Sequence, residues 1–139
     1  MHSTLRFALL FLAGALFSAC ISNSTGTAPE ARITQPKTVA FLPFDSDRAS
    51  DYVPKVKSAL QAAGFTVVAP SQAAYKVELS MGGGWSISCS ITLSKNGARL
   101  VQGNAVNTGF GTALARTTSY DNLFDNALEQ FKRQLEKHS

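Results

Sequence analysis

Asp45, Asp47 and Asp51 crowd a seven-residue window and are the densest set of side chains able to do chemistry. Carboxylates so spaced could hold calcium. A hand-type loop beginning at Asp45 would need Gly at its sixth place and a bidentate Glu at its twelfth; Ser50 and Val56 stand there. Paired carboxylates could also cleave a glycosidic bond, but no second cluster opposes these three. Turn-opening and helix-capping, the ordinary work of Asp before a helix, is the favoured reading. Imidazole chemistry has little material: the chain holds two histidines, His2 in a leader and His138 near the carboxyl end. Neither a triad nor a histidine metal site can be assembled from them. Gly82-Gly83-Gly84 lacks the Gly-Lys-Ser/Thr ending of a phosphate loop and precedes a strand instead of a helix, so it reads as a bend. Trp85 beside it, with Gly83 and Gly84, is either an exposed anchor for a partner, a glycan or a headgroup layer, or a buried ring, and burial is favoured.

Cys20 carries a different chemistry. Arg6 gives a basic start, Phe7 to Phe17 form an almost unbroken apolar run, and Ser18-Ala19 lead into the cysteine. These are the three regions of a secretory signal. Ending in cysteine, it looks like a bacterial lipoprotein signal, with cleavage between Ala19 and Cys20 and acylation of Cys20. Phe17 stands where Leu, Val or Ile is usual, and is still large and apolar. An uncleaved span would need about 20 apolar residues; a secreted protein with an unmodified amino-terminal cysteine is the other alternative. Three acyl chains, at ~0.8 kcal/mol per buried methylene, hold a protein to a bilayer essentially permanently. Ile21 in place of Asp after the cysteine resembles enterobacterial outer-membrane sorting.

Removing residues 1–19 of the 139 leaves about 120, enough for one domain and too few for two ordinary ones. The formal charge of +4 falls by one with Arg6. The remaining Lys and Arg are scattered, with no basic stripe interleaved with stacking aromatics, so nucleic acid is not an expected partner. With Cys20 acylated, Cys89 has no second cysteine to pair with in the chain. It is then a buried thiol or pairs with another molecule, and its place in an alternating strand favours burial.

Stepping along the chain, residues 20–36 are Ser-, Thr-, Asn- and Pro-rich with few large apolar groups. Such a segment reads as a flexible tether reaching on the order of 20–25 Å. The domain is expected over 37–139. Thr38 to Leu42 reads as a strand buried on both faces and ended by Pro43. A helix capped by Ser50 or Asp51 should follow, with Pro54 in its first turn, Val53, Val56, Leu60 and Ala63 on one face, and Gly64 ending it. Phe65 to Val68 completes a βαβ unit, expected parallel with a right-handed crossover. Tyr75, Val77, Leu79 and Met81 alternate with polar residues, as do Ile87, Cys89, Ile91 and Leu93 with Ser86, Ser88, Ser90, Thr92 and Ser94. Asn96-Gly97 marks a hairpin. A strict two-residue turn would set Ile91 against Gln102; a one-residue bulge sets Ile91 against Val101, Cys89 against Gly103 and Ile87 against Ala105, which keeps apolar faces together. Gly109 to Thr118 is a loop or an edge strand. From Ser119, a possible cap, Leu123, Phe124, Ala127, Leu128, Phe131 and Leu135 form a helical stripe, with Asp121 and Asp125 early and Lys132, Arg133 and Lys137 late. The order β-α-β-β-β-(β)-α predicts an α+β two-layer sandwich, a mixed, mostly antiparallel sheet with two helices on one face.

Thr38-Val39-Ala40-Phe41-Leu42-Pro43-Phe44-Asp45 resembles the opening strand of small envelope domains related to the amino-terminal domain of TolB and to the curli-secretion and penicillin-binding-protein-activator lipoproteins. Leu93 to Ala105, followed by the amphipathic helix, resembles a widespread lipoprotein family of unknown function, with Gln102 in place of an aromatic residue. The resemblance covers the order of elements over residues 38–136 and implies the two-layer fold. It carries over no catalytic residue. The expectation is a non-enzymatic outer-membrane lipoprotein, without cofactor or metal, whose domain meets a periplasmic protein or peptidoglycan; a glycan- or small-ligand-binding module is the alternative.

Overall fold

Successive side chains of a strand face opposite ways, so Tyr75, Val77, Leu79 and Met81 must share one side of any strand that holds them. A computed structural model of the chain, describing residues 32–83, 86–107 and 120–139, buries all four. The elements are β1 (Thr38–Phe41), a one-turn helix α1 (Asp47–Ser50), α2 (Val53–Ala62), β2 (Thr66–Val67), a 3-10 turn at Pro70–Gln72, β3 (Tyr75–Gly82), β4 (Ile87–Lys95), β5 (Ala98–Asn107) and α3 (Tyr120–His138). The strands make one sheet in the order β2-β1-β3-β4-β5. Here β1 runs parallel to β2 and β3, and the longer β3–β4 and β4–β5 pairings are antiparallel.

Both long helices press on the same side of that sheet. Val56 and Leu60 of α2 and Leu123, Phe124, Phe131 and Leu135 of α3 join the inward residues of β1, β3, β4 and β5 in one apolar cluster. At ~25 cal/mol per Å² of apolar surface, residues this size each contribute about 1.5–3 kcal/mol on burial. The other side carries Lys76, Glu78, Ser80, Ser88, Ser90, Thr92, Gln102 and Asn104, exposed or half-buried. The chain is an α+β two-layer sandwich.

Gly103 sets how closely the layers meet. It pairs with Ile91 on the helix side of β5, and a Cβ built there would stand 2.0 Å from the carbonyl oxygen of Ala127 and 2.8 Å from Phe131 Cβ. The backbone of α3 therefore lies directly on the strand, across a gap only glycine leaves open.

Three expectations need correction. The domain does not begin at residue 37: Ile33 is buried, its N–H donates to the His138 carbonyl oxygen at 2.8 Å, and the tether expected over 20–36 therefore ends before it. The same bond ties down the last turn of α3. Neither Ser50 nor Asp51 caps α2; the capping position is Tyr52, without a side-chain bond, because residues 47–50 form their own turn of helix and Ser50 Oγ donates to the Asp47 carbonyl oxygen. Pro54 does sit in the first turn of α2, and Gly64 leaves it at φ +85°.

The hairpin is bulged, but not at the turn. Asn96 and Gly97 both take positive φ, 51° and 77°, which fixes Lys95 opposite Ala98 in a two-residue turn. Continued without interruption, that register would put the apolar residues of β5 on the polar face. Leu100 is the extra residue that restores the faces, so Leu93 meets Val101, Ile91 meets Gly103 and Cys89 meets Ala105. The inward set is as expected; each pairing lies two residues from the one expected. Gly109 to Thr118 and Ser119 lie outside the described residues.

Candidate functional site

Because β1 and β3 are parallel while β4 and β5 reverse, the domain has two distinct ends. The ends of β1 and β3, the start of β4 and the end of β5 share the distal end. The chain enters the fold at the proximal end, beside the hairpin tip Asn96-Gly97 and the last turn of α3.

At the distal end α1 and the first turns of α3 hold a set of ring and charge contacts. The Tyr52 ring stacks on Phe124 with centroids 4.3 Å apart, and its hydroxyl donates to Asp121 Oδ1 at 2.8 Å. Burial first, and then the bond to the Asp121 carboxylate, push the Tyr52 phenol up to about 12. The Arg48 guanidinium lies 4.0 Å from the centroid of the Tyr120 ring, and a Cβ at Gly83 would come within 3.0 Å of the Tyr120 hydroxyl. Lys55 Nζ pairs with Asp125 Oδ1 at 2.8 Å, and Ser80 Oγ donates to Asp45. Ser46 Oγ is buried, with no partner among the described residues. The corner around Gly83 offers an aromatic edge, a hydroxyl and a guanidinium, which suits hydrogen bonding and stacking.

The site residues expected from sequence fall as follows. Gly83 is exposed in this corner. Gly84, Trp85, Ala19 and Cys20 lie outside the described residues. Asp45, Asp47 and Asp51 are exposed on the turn and on α1, and no group of three or more His, Cys, Asp or Glu among the described residues is placed to hold a metal. Cys89 is a buried, free thiol, its pKa pushed up to about 11 by burial and by the charge of Asp45.

The proximal end is built on one buried phenol. Thr34 N–H donates to Tyr75 Oη, which donates in turn to the Thr34 carbonyl oxygen, both at 2.7 Å. Lys95 Nζ lies 4.9 Å from the Tyr75 ring centroid and donates to Thr34 Oγ1 at 2.9 Å. Lys37 Nζ donates to the Ala63 carbonyl oxygen at the end of α2, at 3.3 Å. Burial acts to raise the Tyr75 phenol pKa, but the bonds from Thr34 and the charge of Lys95 bring it below its ordinary value. Between α2 and α3 runs an open groove of about 530 Å³, floored by Ala59, Ala62 and Leu128 and flanked by Lys55 and Lys132. No helix among the described residues is long and apolar enough to cross a membrane.

No family model and no curated protein matches the chain. One solved structure with a partial likeness is a dodecameric variant of PelC from Paraburkholderia phytofirmans, 15% identical, with a TM-score of 0.43 over 75% of this chain and 87% of that one. That likeness is too slight to carry a function across.

Sequence reasoning did not find Tyr52, Arg48 or Tyr120. Tyr52 and Asp121 are 69 residues apart, and no local spacing announces such a pair. The only signal was a weak one: an aromatic at the start of α2 and another before the stripe of α3, each beyond the apolar face its own helix needs.

Proposed function

We propose that the chain is a non-enzymatic lipoprotein of the bacterial outer membrane, held by acylated Cys20, whose domain docks on a periplasmic protein or peptidoglycan. The observation that carries this is the Phe7–Phe17 apolar run closing on Ser18-Ala19-Cys20, followed after a short polar segment by a folded unit already under way at Ile33. The solvent exposure of Asp45, Asp47 and Asp51, on a turn and a one-turn helix and not in a cleft, supports a binding role over a carboxylate-driven reaction. Mass analysis of the membrane-extracted protein tests the anchor: loss of residues 1–19 with a triacylated Cys20 is the expected result, and Cys20→Ser should leave the membrane fraction. Retention of that variant by membranes would refute the anchor. Crosslinking in intact cells tests the docking, with recovery of lipid-exposed background alone counting against it.

A second reading, a glycan-binding module, is favoured by the exposed Gly83 beside the Tyr120 hydroxyl and the Arg48–Tyr120 pair. Cell-wall fragments should then change the fluorescence of Trp85, and Tyr120→Ala should remove the response.

A further inference from the structure

The fold sorts the charges of the chain by end. Its five aspartates gather at the distal end: Asp45, Asp47 and Asp51 on or beside α1, and Asp121 and Asp125 in the first turns of α3. Arg48 and Lys55 answer only part of that charge. At the proximal end the balance is reversed. Arg32 is exposed where the chain enters the fold, Lys95 and Lys37 have their ammonium groups held there by Thr34 and Ala63, and Lys76 and Arg99 flank Ser94 in one row of the polar sheet face. Against them stand Glu78, two residues further up β3, and Glu136 on the last turn of α3.

We propose that this basic end is a docking surface for the anionic headgroups of the bilayer that holds Cys20, so that the domain sits with its acidic end turned away from the lipid. This rests on the lipid-anchor reading. The argument for that occupant is charge complementarity together with chain length. Thirteen peptide steps separate Cys20 from Ile33, and such a stretch spans at most about 45 Å even when fully extended. The point at which an anchored chain enters the fold is thus held within that distance of the lipid, and it is the point surrounded by cations. Each Lys or Arg brought within a Debye length of an anionic leaflet biases the lipid-facing orientation about five-fold. The anchor supplies proximity, and the charges select which end is presented.

The test uses the full acylated protein carrying a donor dye at Ala98→Cys, beside the hairpin tip. It is reconstituted into vesicles of phosphatidylcholine, or of phosphatidylcholine and phosphatidylglycerol in equal parts, with acceptor-labelled headgroups. Energy transfer should be higher on the anionic vesicles at ~0.1 M salt and should fall to the neutral-vesicle value near 1 M, where the Debye length drops to about 3 Å. The variant Arg32→Gln, Lys76→Gln, Arg99→Gln changes only exposed side chains and should lower the orientational bias about a hundredfold. Equal transfer on both vesicles overturns the proposal while leaving the anchor standing. Failure to float with neutral vesicles overturns both, because the acyl anchor alone should carry the protein there. Protection of the dye by a soluble polyanion, and not by vesicles, assigns the basic end to a wall polymer and overturns the lipid assignment.

Discussion

Replacing Gly103 with alanine should cost this domain more than any other single methyl group added to its sheet. The new Cβ would lie 2.0 Å from the Ala127 carbonyl oxygen and 2.8 Å from both Phe131 N and Phe131 Cβ. Two of those three obstacles are backbone atoms of α3, so no rotamer change relieves them. To restore even a tight 3.0 Å contact, helix and strand must part by about 1 Å. A gap of 0.5–1 Å forfeits roughly a quarter to a half of the dispersion between the surfaces that separate. Leu123, Phe124, Phe131 and Leu135 of α3 are the large side chains buried at that surface. At about 1.5–3 kcal/mol each, losing a quarter to a half of their contribution puts the cost near ~3 kcal/mol, the upper part of the usual overpacking range. For a domain of this size that corresponds to a melting temperature lower by roughly 10–20 °C. Urea unfolding followed by circular dichroism would measure it, with the slope unchanged and the midpoint displaced. Gly97→Ala is the control: nothing lies within 4 Å of a Cβ there, and only its φ of +77° is strained, so about 1–2 kcal/mol is expected. A Gly103→Ala variant within ~0.5 kcal/mol of wild type would refute the close contact between α3 and β5.

Tyr52→Phe keeps the stack on Phe124 and removes the bond to Asp121, so a loss of about 1.5–3 kcal/mol is expected at neutral pH by equilibrium unfolding. Its pH signature is sharper. The folded Tyr52 phenol titrates near 12, above its ordinary value of 10.0, so the folded state holds this proton more tightly and stability should fall as pH rises from 10 toward 12. In the Phe variant this contribution to the alkaline loss should vanish. Cys89 behaves in the same sense, its raised pKa making stability fall from about pH 9 toward 11. In the native protein at neutral pH its thiol should resist maleimide and react only on unfolding; labelling at the rate of an open thiol would contradict its burial. Arg48→Ala should cost about 0.5–1 kcal/mol through the ring of Tyr120, and Arg48→Lys should recover only part of it.

What could be read from the residues alone was whatever repeats locally. The alternation over Tyr75–Met81 and Ile87–Leu93 and the stripe from Leu123 to Leu135 each record one partner surface many times over, so their elements and buried faces were legible. Single residues that depend on distant ones were not. Ile33 is one apolar residue in a polar stretch, and only distant partners make it part of the domain: the core cluster that buries it, the His138 carbonyl that accepts its N–H, and the Tyr75 hydroxyl that bonds its neighbour Thr34. The hairpin shows the boundary between the two cases. Asn96-Gly97 announced a turn, and the apolar faces announced a bulge. The position of the bulge was hidden, because a strict turn with the extra residue at Leu100 and a bulge within the turn leave the same side chains facing inward.

Charge sorting belongs to the hidden class and bears on function more directly. Along the chain the aspartates form two runs some seventy residues apart, and the basic residues look scattered. Parallel pairing of β1 with β3 brings α1 to the end of the sheet where α3 starts, and thereby joins the two acidic runs. The antiparallel hairpin returns Lys95 and Arg99 to the end where Arg32 enters. A modest net charge of +4 therefore conceals a dipole laid along the strands. For a free domain that dipole would do little beyond about 8 Å at physiological salt. For a domain anchored as proposed above, it would turn the acidic end, with its Arg48–Tyr120 corner, away from the lipid.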